Sequence, residues 1–173
     1  MIIGRPFLTT EQIHEKVIEL ADRISKDYAG KEILAIGILK GSFMFFADLI
    51  RALKTTVTLD FIIAASYLKT TSTGEVKIHY DIREDVKGKH VLLIDDIIDT
   101  GISLNYIRER ILSKSPASLK VCAFLDKKER REVDVPMDYI GFEIPNQFFV
   151  GYGLDYDNNY RNLPYIAVFK KET

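Results

Sequence analysis

Two short stretches of this chain contain no polar side chain: Ile33-Leu34-Ala35-Ile36-Gly37-Ile38-Leu39 and Val91-Leu92-Leu93-Ile94. Each has the length of a strand, and neither alternates. A strand with one wet face reads apolar, polar, apolar. An unbroken apolar run is what a strand covered on both faces requires. Coverage on both faces calls for helices, and helical spacing follows each run. Phe43, Phe46, Ala47, Ile50 and Leu53 recur after the first, and Leu104, Ile107, Ile111 and Leu112 after the second. Strand–helix–strand repetition of this kind predicts an α/β fold built on a central parallel sheet flanked by helices.

The remaining pattern fits around that centre. Thr9 and Gln12 have capping-box spacing, and Ile13, Val17, Leu20, Ala21 and Ile24 form one apolar stripe, so a helix is expected up to Gly30. Val57, Leu59, Phe61 and Ile63 alternate, as do Val76, Ile78, Tyr80 and Ile82. Between them Leu68 to Glu75 (LKTTSTGE) is polar and expected to be a mobile, exposed loop joining an antiparallel pair. Leu119, Val121, Ala123 and Leu125 give a further strand, and Asp138 to Phe169 reads as short strands and loops broken by Pro145, Gly151, Gly153 and Pro164. No repeat or linker divides the 173 residues, which are expected to form one domain.

Ligands of parallel α/β sheets bind beyond the carboxyl ends of the strands. That rule selects Lys40-Gly41, Asp95-Asp96 and Asp126-Lys127. The middle one opens the sequence VLLIDDIIDTGISL, Val91 to Leu104. A buried strand is expected to end in the Asp95-Asp96 pair. Asp99 follows, and Thr100-Gly101-Ile102-Ser103 opens a helix. That turn offers backbone N–H groups, two hydroxyls and a helix N-terminus, and its glycine allows close approach, so it can cradle a phosphate without a cation. Asp95 and Asp96 suit a vicinal diol, whose hydroxyls donate to carboxylates, or a magnesium ion held directly or through water. Asp99 is placed to accept or donate a proton at a bound base. The spacing fits a ribose 5-phosphate. A solvated acidic turn is the bland alternative, but three carboxylates at a buried strand's mouth repel one another unless a ligand, cation or donor compensates them.

This segment resembles the phosphoribosyl pyrophosphate signature of type I phosphoribosyltransferases, and its Ile97-Ile98 is similar to the hypoxanthine-guanine branch. The resemblance runs from about Gly4 to the C-terminus. Two residues depart from it: Asp95 stands where this branch commonly has Glu, and Ser42 where relatives often have Gly. It implies a magnesium-dependent purine-salvage transferase that converts hypoxanthine or guanine and phosphoribosyl pyrophosphate to IMP or GMP and pyrophosphate. The implied fold adds a flexible active-site lid of about residues 66–75, beginning at Ser66-Tyr67, and a small hood of terminal segments over the purine.

The resemblance also assigns residues. Asp99 would move the proton at purine N7, and Thr100, Gly101, Ile102 and Ser103 would hold the 5′-phosphate. Lys40, Gly41 and Arg161 would bind pyrophosphate, with the peptide before Lys40 often cis in the family. Lys127 would donate to the exocyclic oxygen of a 6-oxopurine, Phe148 would stack on the ring, and the Phe149 backbone would contact it. Asp155 would bind a second magnesium with pyrophosphate oxygens. Judged alone, Lys40-Gly41 is a plain strand-to-helix turn, Phe148 and Phe149 are core residues, Asp155 and Arg161 are surface residues, and the run Asp126 to Glu132 (DKKERRE) is mostly a solvated face.

Composition narrows the rivals. A formal net charge of −1 offers no general attraction for nucleic acid or an anionic membrane. That argues against a nucleic-acid-binding regulator sensing the same sugar phosphate. A phosphorelay receiver would place its acidic pair near the N-terminus, not mid-chain before a phosphate-type loop. The single Cys122 excludes an intrachain disulfide and reads as a small core residue. No targeting or membrane-length apolar segment is visible, so a cytoplasmic location is expected, and the resemblance implies a homodimer or homotetramer.

Overall fold

A computed structural model describes residues 2–67 and 75–170 of the chain. In chain order the elements are β1 (Ile2–Leu8), α1 (Thr10–Asp27), β2 (Ile33–Leu39), α2 (Phe43–Ala52), β3 (Val57–Tyr67), β4 (Glu75–Tyr80), β5 (His90–Ile98), α3 (Ile102–Leu112), β6 (Ser118–Asp126), β7 (Tyr139–Glu143), β8 (Phe149–Val150) and β9 (Ile166–Lys170). A 3-10 turn at Lys128–Arg130 follows β6.

Six strands form the main sheet in the order β4-β3-β2-β5-β6-β7. All neighbours are parallel except the edge pair β3–β4, which is antiparallel as the polar excursion predicts. The tip of the expected lid, 68–74, lies outside the described residues. Ser66 and Tyr67 close the β3 ladder opposite Val76 and Glu75.

The apolar runs are explained by where their side chains go. Ile33 and Ala35 of β2, Leu92 and Ile94 of β5, and Cys122 and Phe124 of β6 enter one core with α1 and α2. Leu34, Ile36, Val91, Leu93, Val121 and Ala123 enter a second core on the opposite face, with Leu104, Ile107 and Ile111 of α3. Burial of each large side chain contributes about 1.5–3 kcal/mol. Helix α1 starts with the capping box expected from Thr9 and Gln12, both reciprocal bonds being present, and buries Ile13, Val17, Leu20, Ala21 and Ile24.

Two features differ from the sequence reading. First, β5 does not stop at the acids. Its register with β2 ends at Gly37–Ile94, while its pairing with β6 continues through Ile98–Asp126. Asp95 and Asp96 therefore lie inside a strand that has lost one neighbour, which opens a cleft on the β2 side. Second, the first residues form a strand. β1 pairs antiparallel with β9, which also pairs with β8, so the two chain ends build a separate three-stranded sheet. It stands where the resemblance implies a small hood of terminal segments.

Candidate active site

The site lies where β2, β5 and β6 end, as the strand-end rule requires. β2 passes into Lys40-Gly41-Ser42 through a cis Leu39–Lys40 peptide. Ser42 is fully buried, and its hydroxyl donates to the Ile38 carbonyl at 2.6 Å, so the residue that departs from relatives here closes the turn on itself. Gly41 faces the acids directly. A Cβ there would stand 2.0 Å from Asp96 Oδ2. Any larger residue at this position would have to displace the Asp96 carboxylate.

Asp95 and Asp96 are half-buried side by side, and the Asp96 N–H donates to Asp95 Oδ1 at 3.0 Å. Burial, then the neighbouring Asp96 charge, pushes the Asp95 carboxyl well above the usual carboxylate range. Burial also raises Asp96, against its hydrogen bonds and the nearby Arg161 cation. The Arg161 cation does not cancel the effect of burial on the pair, and that suits a group bringing hydroxyl donors or a cation. Magnesium characteristically uses one or two carboxylates, keeps several waters and takes substrate phosphates as its other ligands. The pair fits that demand. Among the described residues, no group of three or more His, Cys, Asp or Glu side chains converges as a complete metal cage.

Beyond β5, Gly101 takes φ +85° and caps α3 without a side-chain bond. A Cβ on it would meet the Val133 carbonyl at 2.6 Å, so the neighbouring 131–135 segment also demands glycine. The Thr100 carbonyl accepts from Glu132 and Val133 N–H at 2.9 and 3.1 Å, which pins the turn from behind. Ile102 N–H lies 3.4 Å from Thr100 Oγ1. Ile102 and Ser103 are half-exposed at the first turn of the helix, where N–H groups have no partners within it.

Asp99 extends from the strand end with its Oδ1 buried and lacking a hydrogen-bond partner, although Arg130 Nε forms an ion pair with it at 3.0 Å. Lys127, at the end of β6, is buried. Its own N–H donates to the Ile98 carbonyl at 2.9 Å, which ties the two strand ends together. Burial holds the Lys127 ammonium below its ordinary range, and the Asp99 charge partly offsets that. Of the charge run, Asp126 and Lys127 are buried and Arg131 is half-buried, while Arg130 stays exposed. Arg131 pairs with buried Asp126 and reaches the Asp99 carbonyl, and Arg130 faces Asp99. Lys128, Glu129 and Glu132 are exposed, as expected of a solvated face. The sequence hinted at this only by placing two arginines just beyond the strand end.

The last contributors come from the 148–161 segment. Phe148 is 50% exposed and stands edge-on to Tyr156 and Phe169, so it is not the core residue its apolar neighbours suggested. Phe149 is buried against Phe7, and its backbone joins β9. Asp155 is not free. Its carboxylate pairs with Arg161 Nη2 at 2.9 Å and accepts from the Asn158 N–H at 2.7 Å. Arg161 also donates to the Gly153 carbonyl at 2.7 Å, and it shares with Lys40, Leu39, Phe43, Ile63 and Asn158 a cavity of about 390 Å³. Gly153 approaches so closely that a Cβ on it would stand 2.0 Å from the Gly41 carbonyl. Lys40, Gly41, Asp96 and Arg161, dispersed in sequence, thus meet in one cleft.

Comparison with known proteins agrees with this geometry. A family model for the phosphoribosyl transferase domain matches residues 8–157. The hypoxanthine-guanine phosphoribosyltransferase of Streptococcus pneumoniae is 45% identical over 171 residues, covering 98% of this chain and 95% of the relative. A crystal structure of a hypoxanthine-guanine phosphoribosyltransferase from Bacillus anthracis superposes with a TM-score of 0.94 at 48% identity, covering 98% of this chain and all of the other. A hypoxanthine phosphoribosyltransferase from Staphylococcus aureus superposes with a TM-score of 0.93 at 44% identity, covering 97% and 92% of the two chains. With this likeness over nearly its full length, the chain belongs to the hypoxanthine-guanine phosphoribosyltransferase family, the purine-salvage branch of the type I phosphoribosyltransferases.

Proposed function

We propose that this enzyme of purine salvage carries out its reaction through a division of labour among three strand ends and the hood. The reaction joins hypoxanthine or guanine to the ribose 5-phosphate of phosphoribosyl pyrophosphate and releases pyrophosphate. The N–H groups and hydroxyls of Thr100 to Ser103 hold the 5′-phosphate at the N-terminus of α3, where the helix dipole favours an anion. Asp95 and Asp96 accept from the ribose hydroxyls or meet magnesium. The pyrophosphate lies over Lys40 and Gly41, with Arg161 beside it and Asp155 at a second metal. Magnesium, when bound, neutralises pyrophosphate oxygens and eases their departure. Positive charge developing on the ribose is stabilised by the neighbouring carboxylates.

At the purine, Phe148 presents an exposed ring for stacking, worth about 1–3 kcal/mol for a base on an aromatic side chain. Lys127 donates to the exocyclic oxygen at position 6. Adenine carries an amino group there, so a buried lysine donor disfavours it. Asp99 takes the proton as ring nitrogen bonds to C1 of the ribose. A lid beginning at Ser66-Tyr67 would exclude water, which would otherwise hydrolyse the activated sugar. A cytoplasmic location and a homodimer or homotetramer complete the reading. No helix among the described residues is long and apolar enough to cross a membrane.

The observation that carries this reading is the contact of Gly41 with Asp96 beside the uncapped start of α3. It brings the Lys40-Gly41 loop against the Asp95-Asp96 pair, and this supports the pyrophosphate and sugar roles proposed for them. The test is an assay panel with magnesium, phosphoribosyl pyrophosphate and adenine, guanine, hypoxanthine or xanthine in separate reactions. Turnover of hypoxanthine and guanine with little of adenine is expected. Preference for adenine would overturn the role given to Lys127.

A further inference from the structure

The segment from Gly151 to Arg161 is bent by six residues in the left-handed region: Gly151, Tyr152, Gly153, Asp157, Asn158 and Tyr160. Tyr152 is the one among them that is both buried and not glycine, with φ +51°. A tyrosine adopts that conformation only where its surroundings hold it. Two contacts do so. Its ring packs against Phe124 with centroids 5.3 Å apart, and its hydroxyl donates to Asp48 Oδ2 at 2.7 Å, across 104 positions of sequence.

Asp48 lies on α2, the helix that begins at Phe43 directly after Lys40-Gly41-Ser42. The next residue after Tyr152 is Gly153, whose Cα faces the Gly41 carbonyl and whose own carbonyl accepts from Arg161. The turn is therefore fastened to α2 on one side, rests on the Gly41 loop, and carries Arg161 on the other. Asp48 is itself steadied by an ion pair with Arg51 at 2.5 Å.

We propose that Tyr152 and Asp48 are positioning residues for the pyrophosphate site. Their hydrogen bond seats the 151–153 turn against Gly41, so that Arg161 and Asp155 face the leaving group at the distance the Lys40-Gly41 loop sets. This rests on the assignment of Gly41, Asp155 and Arg161 to pyrophosphate. Neither positioning residue touches substrate; both act through Gly153 and Arg161.

Steady-state kinetics on the full chain test the tether. Tyr152→Phe, which keeps the ring and removes the hydroxyl, is expected to raise the KM for phosphoribosyl pyrophosphate about three- to tenfold, the range a single net hydrogen bond supports. The KM for hypoxanthine should stay within about twofold under the same single-bond reasoning. Asp48→Ala should reproduce that split. Asp48→Asn, which retains an acceptor oxygen, should return close to the parent, and the Tyr152→Phe/Asp48→Ala double variant should be no worse than either single one. A purely structural role would lower melting temperature and affect both substrates alike. Unchanged KM for phosphoribosyl pyrophosphate, or equal change in both, overturns the proposal. Should Tyr152→Phe not fold, the contrast of Asp48→Ala with Asp48→Asn decides the matter in the same way. Gly41→Ala separates the two levels. If it leaves the KM for phosphoribosyl pyrophosphate unchanged, the pyrophosphate assignment itself fails. If it raises that KM while the tether variants do not, the tether alone fails.

Discussion

Asp99 has a buried carboxylate oxygen that no donor satisfies, held beside one arginine in an ion pair without hydrogen-bond geometry. An oxygen kept in that state is available for a proton arriving from a purine nitrogen, and general-base catalysis contributes about 10²–10⁴-fold in rate. Asp99→Ala is therefore predicted to lower kcat by about 10² or more while moving either KM by less than about threefold. Steady-state kinetics with both substrates check this, and parallel losses in kcat and binding would count against proton transfer. At this scale the sequence was informative where candidate residues are consecutive, as from Asp95 to Ser103. It was silent where one residue's role depends on a distant neighbour. Arg130 and Arg131 look alike within a charge run, yet one faces Asp99 and the other a buried Asp126. Gly153 gains its meaning from Gly41, which is far away in the chain.

At the scale of elements, β5 decides the electrostatics. It keeps β6 as a partner and loses β2 at the residue before the acids, so Asp95 and Asp96 sit half-buried with each other for company. A carboxyl whose pKa is raised by folding binds protons more tightly in the native state than in the unfolded chain. Such a group destabilises the fold as pH rises through the unfolded carboxylate range and up to its raised native value; below that range it costs nothing. Asp95→Asn removes the charge. Without ligands it is predicted to raise Tm at pH 7 by roughly 2–4 °C, corresponding to about 1 kcal/mol in a domain of this size, with activity reduced. The gain should shrink as pH falls toward 4, and thermal melts across that range give the answer. A constant difference at every pH would remove the charge explanation. α1 and β2 were legible because their periodicity is local: the Thr9–Gln12 capping box and the buried stripe of α1 appear as expected, whereas α2 forms but buries Phe45, Phe46 and Leu49 in place of the expected stripe, with Phe43 and Ala47 exposed. β1 was not legible. Its sequence IIGRPFL includes a glycine and a proline, its register with β9 shifts on either side of Pro6, and its partner strand is at the opposite end of the chain.

The molecule as a whole is a mostly parallel sheet covered on both faces, with a small second sheet made by its two ends, and the proposed ligand site lies between strand tips and the 148–161 segment. A ligand that bridges these parts binds only the folded chain. At a hundred times its Kd it adds about 2.7 kcal/mol, which in a domain of this length corresponds to roughly 5–10 °C in Tm. Phosphoribosyl pyrophosphate with magnesium is predicted to give that shift, and chelation of the metal to remove most of it. Differential scanning fluorimetry with and without a chelator checks both. The central parallel sheet followed from two apolar runs and their helices, but its strand order did not. The hood did not follow from any local pattern, because a strand pair formed by the first and last residues leaves no periodic mark between them; only the family resemblance announced it.

The proposed function depends on a spatial division: the turn after β5 would grip a terminal phosphate while the acids before it would meet the sugar. A crystal structure with IMP or GMP bound tests that division most directly. The 5′-phosphate is predicted on the N–H groups of residues 100–103, with ribose hydroxyls on the Asp95-Asp96 side. A phosphate bound elsewhere, with that turn empty, would contradict it.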